Sequence, residues 1–152
     1  MQELKRRIKS VQPILKSKKQ TLDHEIFELN KIREDKMQSL NNLRTWQQKY
    51  ISGVDQVNVD RKQGKMDILP ALEDGLDFVK EKWHQNLREV KKLEEEERHQ
   101  TILVMEAKRN LKSIETLEER YIHQLKEWKD KAEQKELDEI AVSQFVNQSR
   151  KL

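Results

Sequence analysis

The stretch "DRKQGKMDILP", Asp60 to Pro70, gathers helix breakers that the rest of the chain almost lacks. It holds one of the three glycines and one of the two prolines among 152 residues. Gly64 suits the positive φ that closes a helix. Asp67 is a good N-cap, and Pro70 then falls in the first turn of a new helix, where a missing N–H is tolerated. The stretch therefore predicts that the chain stops, turns and restarts within a few residues. A short link between two long helices makes them antiparallel neighbours. The expected architecture is one all-α hairpin, a long antiparallel two-helix coiled coil, in a single domain over residues 1–152. The first helix is expected over about residues 5–62, the tip over about 63–67 and a longer second helix over about 67–149.

Working outward, the remaining breakers shape the arms. Pro13, with Ser10 three residues before it, suggests that the first helix proper starts near Ser10, leaving residues 1–9 as a separate or frayed turn. Gly53 and Gly75 each cost roughly 1 kcal/mol relative to alanine inside a helix. "GVDQVNVD", Gly53 to Asp60, is the least helix-prone part of the first arm, which could end as early as Ser52.

Composition agrees with long helices. Charged residues make up 39%, hydrophobic residues 34% and aromatic residues 5% of the chain, too little apolar material for a core of several layers. Such a charge fraction also suits a disordered chain, so periodicity has to decide. From Leu15, steps of four and three visit Leu15, Lys19, Leu22, Ile26, Leu29, Arg33, Lys36, Leu40, Leu43, Gln47, Tyr50, Val54 and Val57. Nine of these thirteen are apolar, which is a heptad seam. From Leu69 the same stepping runs through Trp83, Val90, Val104 and Leu125 to Val146. Seventeen of its twenty-three positions are apolar, in one unbroken register. A strict seven-residue repeat implies a left-handed supercoil.

The two arms are unequal. Folded back from the tip, the first runs out opposite about residue 125, leaving an unpaired end of roughly 35 Å on a rod of about 120 Å. That end still carries Trp128, Ala132, Leu137, Ile140, Val142, Phe145 and Val146. A lone amphipathic helix in water is marginal and wants a surface to bury against.

Little in the sequence points to catalysis. Cysteine is absent, so there is no disulfide or thiol chemistry. His24, His84, His99 and His123 are scattered without metal-ligand spacing, and no glycine sits in a phosphate-binding loop. The expectation is a protein that is not an enzyme and takes no metal or cofactor. No apolar run approaches the ~20 residues of a membrane span, and "MQELKRRIKSVQ" does not read as a secretory signal. A cytoplasmic protein without direct membrane insertion is expected.

Several stretches invite a partner. "KKLEEEERHQ", Lys91 to Gln100, puts the polar residues Glu97 and Gln100 on the seam. They form either a solvated, loosened stretch or a register-setting polar layer. Ile102 and Met105 fall on the outward side, as does Phe78 near the tip; each is a chance exposure or part of a docking patch. Residues 1–20 hold seven cations against Glu3, a net of +6, whereas the remainder holds 24 cations against 27 anions. Positive charge at a helix N-terminus is mildly unfavourable. It is either balanced by Glu115, Glu118 and Glu119 of the second helix or kept for a partner. Without interleaved aromatics or a single basic stripe, it is a weak candidate for nucleic acid.

The far end of the second arm, "EQKELDEIAVSQF", Glu133 to Phe145, resembles the C-terminal signature of the FliJ family of flagellar export proteins. Gln134, Lys135, Leu137, Asp138, Glu139, Ile140 and Ala141 match it. "LRTWQQKY", Leu43 to Tyr50, is similar to the aromatic-bearing end of the first helix in the injectisome relatives, the YscO proteins, and leans the resemblance toward that branch. Pro13 and the longer apolar tail depart from both.

The resemblance implies a stalk component of a type III protein secretion export apparatus, shaped like the rotor shaft of a rotary ATP synthase. It implies that the paired ends enter the pore of the hexameric export ATPase while the tip reaches the cytoplasmic ring of the export gate. Some members also bind secretion chaperones. Carried onto this chain, the pore contacts would be Lys5, Arg6, Arg7 and Lys9 with Gln134, Lys135, Asp138 and Glu139. The gate or partner contacts would be Leu76, Phe78 and Trp83, with Phe145 and Val146 on the unpaired end. The alternative is a generic coiled-coil scaffold or dimerisation protein whose unpaired end meets a copy of itself.

Overall fold

The computed structural model describes residues 1–151. Two helices make up the fold, α1 (Gln2–Lys62) and α2 (Leu69–Lys151). They pack as an antiparallel hairpin, the second helix being the longer. The turn between them is built by Gly64 at φ 76°. The Gly64 amide donates to the Arg61 carbonyl at 3.2 Å and the Lys65 amide to the Asp60 carbonyl at 3.0 Å. This pair of bonds is a Schellman cap, which a left-handed residue alone permits without strain. At the restart, the Leu72 amide donates to the Ile68 carbonyl at 3.1 Å. Ile68, and not Asp67, therefore occupies the N-cap position, and Pro70 is the second residue of α2.

Two expectations about α1 are corrected. The helix does not begin near Ser10 but at Gln2, and it runs through Pro13. Pro13 is exposed, so the ring and the Lys9 carbonyl it leaves without a helical donor both face water. Ser10 is mid-helix, its hydroxyl donating to the Arg6 carbonyl at 2.8 Å. Nor does α1 stop at Ser52, since Gly53 to Asp60 are helical. Gly53 is a close-approach site. A Cβ there would overlap Leu76 Cδ2 and lie 3.5 Å from Leu76 Cγ.

The chain divides into two compact units, residues 24–105 and residues 1–23 with 106–152. In the first, Leu29, Val57, Leu69, Val90, Leu93 and Val104 are buried. The seam of α2 follows the expected steps at every position here, from Leu69 to Val104. The seam of α1 follows only one of its two columns. Leu22, Leu29, Lys36, Leu43, Tyr50 and Val57 face inward as expected, but Arg33 and Gln47 are exposed. The second column lies one residue earlier, at Glu25, Ile32, Ser39, Trp46, Gly53 and Asp60. Its polar and small members disguise it. Ile26, Leu40 and Val54 flank it half-buried, and so imitate it in the sequence. Asp60, 2% exposed, accepts from the Gln56 amide at 3.0 Å.

Glu97 and Gln100 do sit on the seam, and both are engaged. Gln100 is buried, and its Nε2 donates to the Glu25 carbonyl at 2.9 Å and to the Glu25 carboxylate at 2.5 Å. Lys36 Nζ lies 3.2 Å from Glu97 Oε2, with about a quarter of each side chain exposed (27% and 25%). Of the two readings of this stretch, the polar layer is the one formed. Sliding the helices by a heptad would leave a buried amide unpaired, which costs about 1–3 kcal/mol.

In the other unit, Val11 and Leu15 of α1 and Ala107 of α2 are buried. Leu4, Ile8, Leu111, Ile114, Tyr121 and Leu125 are half-buried around them. Lys19 is exposed and Lys18 half-buried, repeating the one-residue offset. Beyond Leu125 every α2 residue through Arg150 is exposed.

Candidate interaction surfaces

In the unit that holds Val11 and Ala107, the paired end brings α1 residues Arg6, Arg7, Val11 and Ile14 against Leu117 and Tyr121 of α2, which together line a shallow groove. Arg7 is tied down within it. Its guanidinium is 2.7 Å from Glu3 and its Cζ sits 5.9 Å above the Tyr121 ring. The basic stretch is not balanced by α2 in the way the sequence allowed. Among the described residues no ion pair joins it to Glu115, Glu118 or Glu119. Glu118 instead accepts from the Gln12 amide. Lys5, Arg6 and Lys9 remain exposed, so the cationic character of this end faces water.

The motif-bearing residues do not meet this basic end. Leu125 is the last α2 residue that is not exposed. At 1.5 Å per residue, Gln134 to Glu139 lie ~14–21 Å further along the same helix. There Gln134 Nε2 donates to Asp138 Oδ1 at 3.0 Å, and Trp128, Lys131, Ala132, Lys135, Glu136 and Glu139 line a shallow groove. The apolar side chains of this segment are bare: Leu137, Val142 and Phe145 are 60%, 62% and 70% exposed.

Near the tip, in the other unit, α1 and α2 hold a cluster of aromatic rings. Phe78 meets Trp46 edge-on at 6.2 Å and 78°, and Trp83 lies 5.5 Å from Tyr50. Trp83 also stacks on His84 at 5.6 Å and 10°. Lys49 and Lys82 place their ammonium groups 4.5 Å and 5.5 Å from the Trp46 and Phe78 ring centres. Phe78 stays 54% exposed while Leu76 turns inward against Gly53. Leu76 is thus a packing residue, and Phe78 is the accessible one. Trp46 completes the cluster and was missed in the sequence because Gln47 stood in its place on the inferred seam.

Elsewhere the surface is charged and solvated. Ile102 and Met105 do face outward, 54% and 49% exposed. The hydrogen bond and charge of Arg98 hold the Glu95 carboxyl below its ordinary range. Among the described residues, no three His, Asp or Glu side chains are placed to hold a metal ion. Among the described residues, no helix is long and apolar enough to cross a membrane.

Two helices zipped antiparallel, with the longer running on alone, define a coiled-coil hairpin protein. A family model described as "Flagellar FliJ protein" matches residues 7–150, and the chain belongs to the FliJ family. Neither a curated protein nor a solved structure matches the chain. The family is one of structural stalk proteins, so its role lies generally in type III export and not in catalysis. The matched description is flagellar, and nothing in it supports the injectisome branch.

Proposed function

We propose that this chain is the central stalk of a type III protein export apparatus, cytoplasmic and peripheral to its membrane-embedded part. In this reading the end bearing Lys5, Arg6, Arg7 and Lys9, together with Gln134, Lys135, Asp138 and Glu139, enters the pore of the hexameric export ATPase. The tip, through Phe78 with Trp83 and the packing residue Leu76, faces the cytoplasmic ring of the export gate. Secretion chaperones are further partners.

The observation that supports it most is the bare end of α2. An amphipathic helix that continues its seam for six turns with Trp128, Val142 and Val146 all at least 40% exposed is built to be covered by something else. A pore lined by six equivalent subunits would cover it on every side, which suits a segment whose Leu137 and Ile140 point away from its Trp128 and Val142. The exposed cations of α1 would reach the pore mouth.

The test is a pull-down of the export ATPase by the full chain and by a chain ending at residue 130. The full chain should retain the ATPase and the shortened one should lose it. Phe145→Asp with Val146→Asp should weaken retention without loss of helicity. Equal retention by all three chains would exclude the α2 end from the contact.

A further inference from the structure

The unpaired end of α2 continues the heptad of the hairpin. Beyond Leu125 the seam positions are Trp128, Ala132, Lys135, Glu139, Val142 and Val146, all exposed. We propose that these residues pair antiparallel with the same segment of a second copy, across a twofold axis lying between Lys135 and Glu139.

The register follows from the side chains. With the axis there, Trp128 faces Val146 of the second copy, Ala132 faces Val142, and Lys135 faces Glu139. Each pairing occurs twice by symmetry. A large ring sits against a mid-sized side chain, a small residue against another mid-sized one, and opposite charges against each other. Shifting by one heptad one way sets Trp128 over Glu139 and Ala132 over Lys135, and brings Val142 and Val146 to the levels of Leu125 and Tyr121, which are already half-buried in the hairpin. Shifting the other way sets Lys135 against Val146 and Glu139 against Val142. Only the first register buries the apolar pairs together and matches the charges, the arrangement that fixes orientation and partner in coiled coils. A groove lined by Trp128, Lys131, Ala132, Lys135, Glu136 and Glu139 already lies open on this face, where a knob from a second helix would enter.

The ends of the segment fit as well. The intramolecular seam finishes at Leu4 and Leu125, one turn before Trp128. The second copy's α2 would run in the same direction as α1 and reach it at Gln2. Its carbonyl end then meets the amide end of α1, a favourable alignment of helix dipoles. From Asn147 onward the incoming helix would run into the first turn of α1, so the dimer requires α2 to unwind after Val146, short of its end at Lys151 in the single chain.

The paired length, residues 128–146, is roughly 28 Å of helix, which places the contact at the small end of specific interfaces and the dimer in the weak class. Beside the axis, Glu136 and Asp138 each approach their own counterparts, and those like-charge pairs keep it weak. Leu137 and Ile140 lie on the far side and stay bare. The dimer covers Lys135 and Glu139, assigned above to the ATPase contact, and Val146, assigned above to a partner of the unpaired end. The two states exclude each other, and the dimer is a resting form that shields the apolar end of the free stalk.

The test uses the purified full chain with no ATPase, so that its outcome is separate from that of the stalk reading. Sedimentation velocity from about 1 to about 300 µM should show a monomer passing into a dimer. The chain lacks cysteine, so single replacements report register. Asp138→Cys, beside the axis, should cross-link to its own copy under mild oxidation. Ala132→Cys and Val142→Cys should fail singly and cross-link when mixed. Lys135→Glu alone and Glu139→Lys alone should each weaken the dimer about ten-fold, and the two together should restore it. A monomer throughout the range, self-linking of Ala132→Cys as fast as Asp138→Cys, or a double reversal no better than either single one would overturn the proposal.

Discussion

Gly53 and Gly75 offer a controlled experiment within one unit of the protein. Both are mid-helix, and replacing either by alanine should recover about 1 kcal/mol of helix propensity. Their surroundings differ. Nothing lies within 4 Å of a Cβ built on Gly75, whereas one on Gly53 would overlap Leu76 Cδ2. That methyl is the far end of a flexible side chain, so Leu76 can yield by leaving its rotamer, at a cost of about 0.5–1.5 kcal/mol. Gly75→Ala should therefore stabilise by about 1 kcal/mol, a rise of roughly 2–4 °C in Tm. Gly53→Ala should fall within about 0.5 kcal/mol of the parent, because the two effects offset. In a Leu76→Ala background the obstruction is gone, and Gly53→Ala should then gain the full ~1 kcal/mol, a coupling of about 1 kcal/mol between the sites. Urea unfolding followed by circular dichroism at 222 nm measures the parent and the four variants. If Gly53→Ala stabilises the parent as much as Gly75→Ala does, the close approach of the helices at this level is wrong.

Other outcomes follow from the same geometry. Gly64→Ala should destabilise by about 1 kcal/mol, since alanine resists the left-handed conformation at φ 76°; thermal melts measure it. Gln100→Ala should cost about 1–2 kcal/mol by removing a buried hydrogen bond to Glu25, whereas Glu25→Gln should cost under about 0.5 kcal/mol because the amide can still accept. A chain ending at Leu125, melted at low micromolar concentration, should keep its Tm within about 2 °C, because the removed residues pack against nothing in their own molecule. Deleting residues 1–11 should lower Tm by several degrees, since Leu4, Ile8 and Val11 leave the seam. Adding the export ATPase to the concentrated protein should dissolve the dimer, read by sedimentation.

Much of this was legible in the sequence, for identifiable reasons. The α2 register is readable because most of its seam is apolar through Leu125, so each step from Leu69 to Leu125 lands on a buried or half-buried residue. The α1 register is only half readable. Leu15, Leu22 and Leu29 mark one column, but the other runs through Lys18, Glu25, Ser39 and Asp60, where hydropathy carries no signal. Of these, Glu25 faces inward to accept from Gln100 of α2 across the seam, a pairing that no single helix can disclose. Pro13 misled in a different way. A proline on the solvent side of a helix sacrifices one hydrogen bond to water, a cost that Val11 and Leu15, buried on either side of it, can outweigh. The bare end of α2 was legible from arm lengths alone. Its distance from the basic end was less so, because the expectation drawn from the resemblance groups Lys5 to Lys9 with Gln134 to Glu139 without their separation along the helix.

The hairpin topology also dictates an order of assembly. Contacts between the arms join residues ever further apart in the chain with distance from the turn. Arg61 and Glu73 are 12 residues apart, Lys36 and Glu97 61, and Gln12 and Glu118 106. Closing the longest of these loops directly costs about 2 kcal/mol more entropy than closing the shortest. Zipping outward from Gly64 avoids that cost at each step. On a ribosome, the first turns of α1 emerge long before their partners around Leu117 and Tyr121 exist. The N-terminal seam, first to be made, is therefore the last to close.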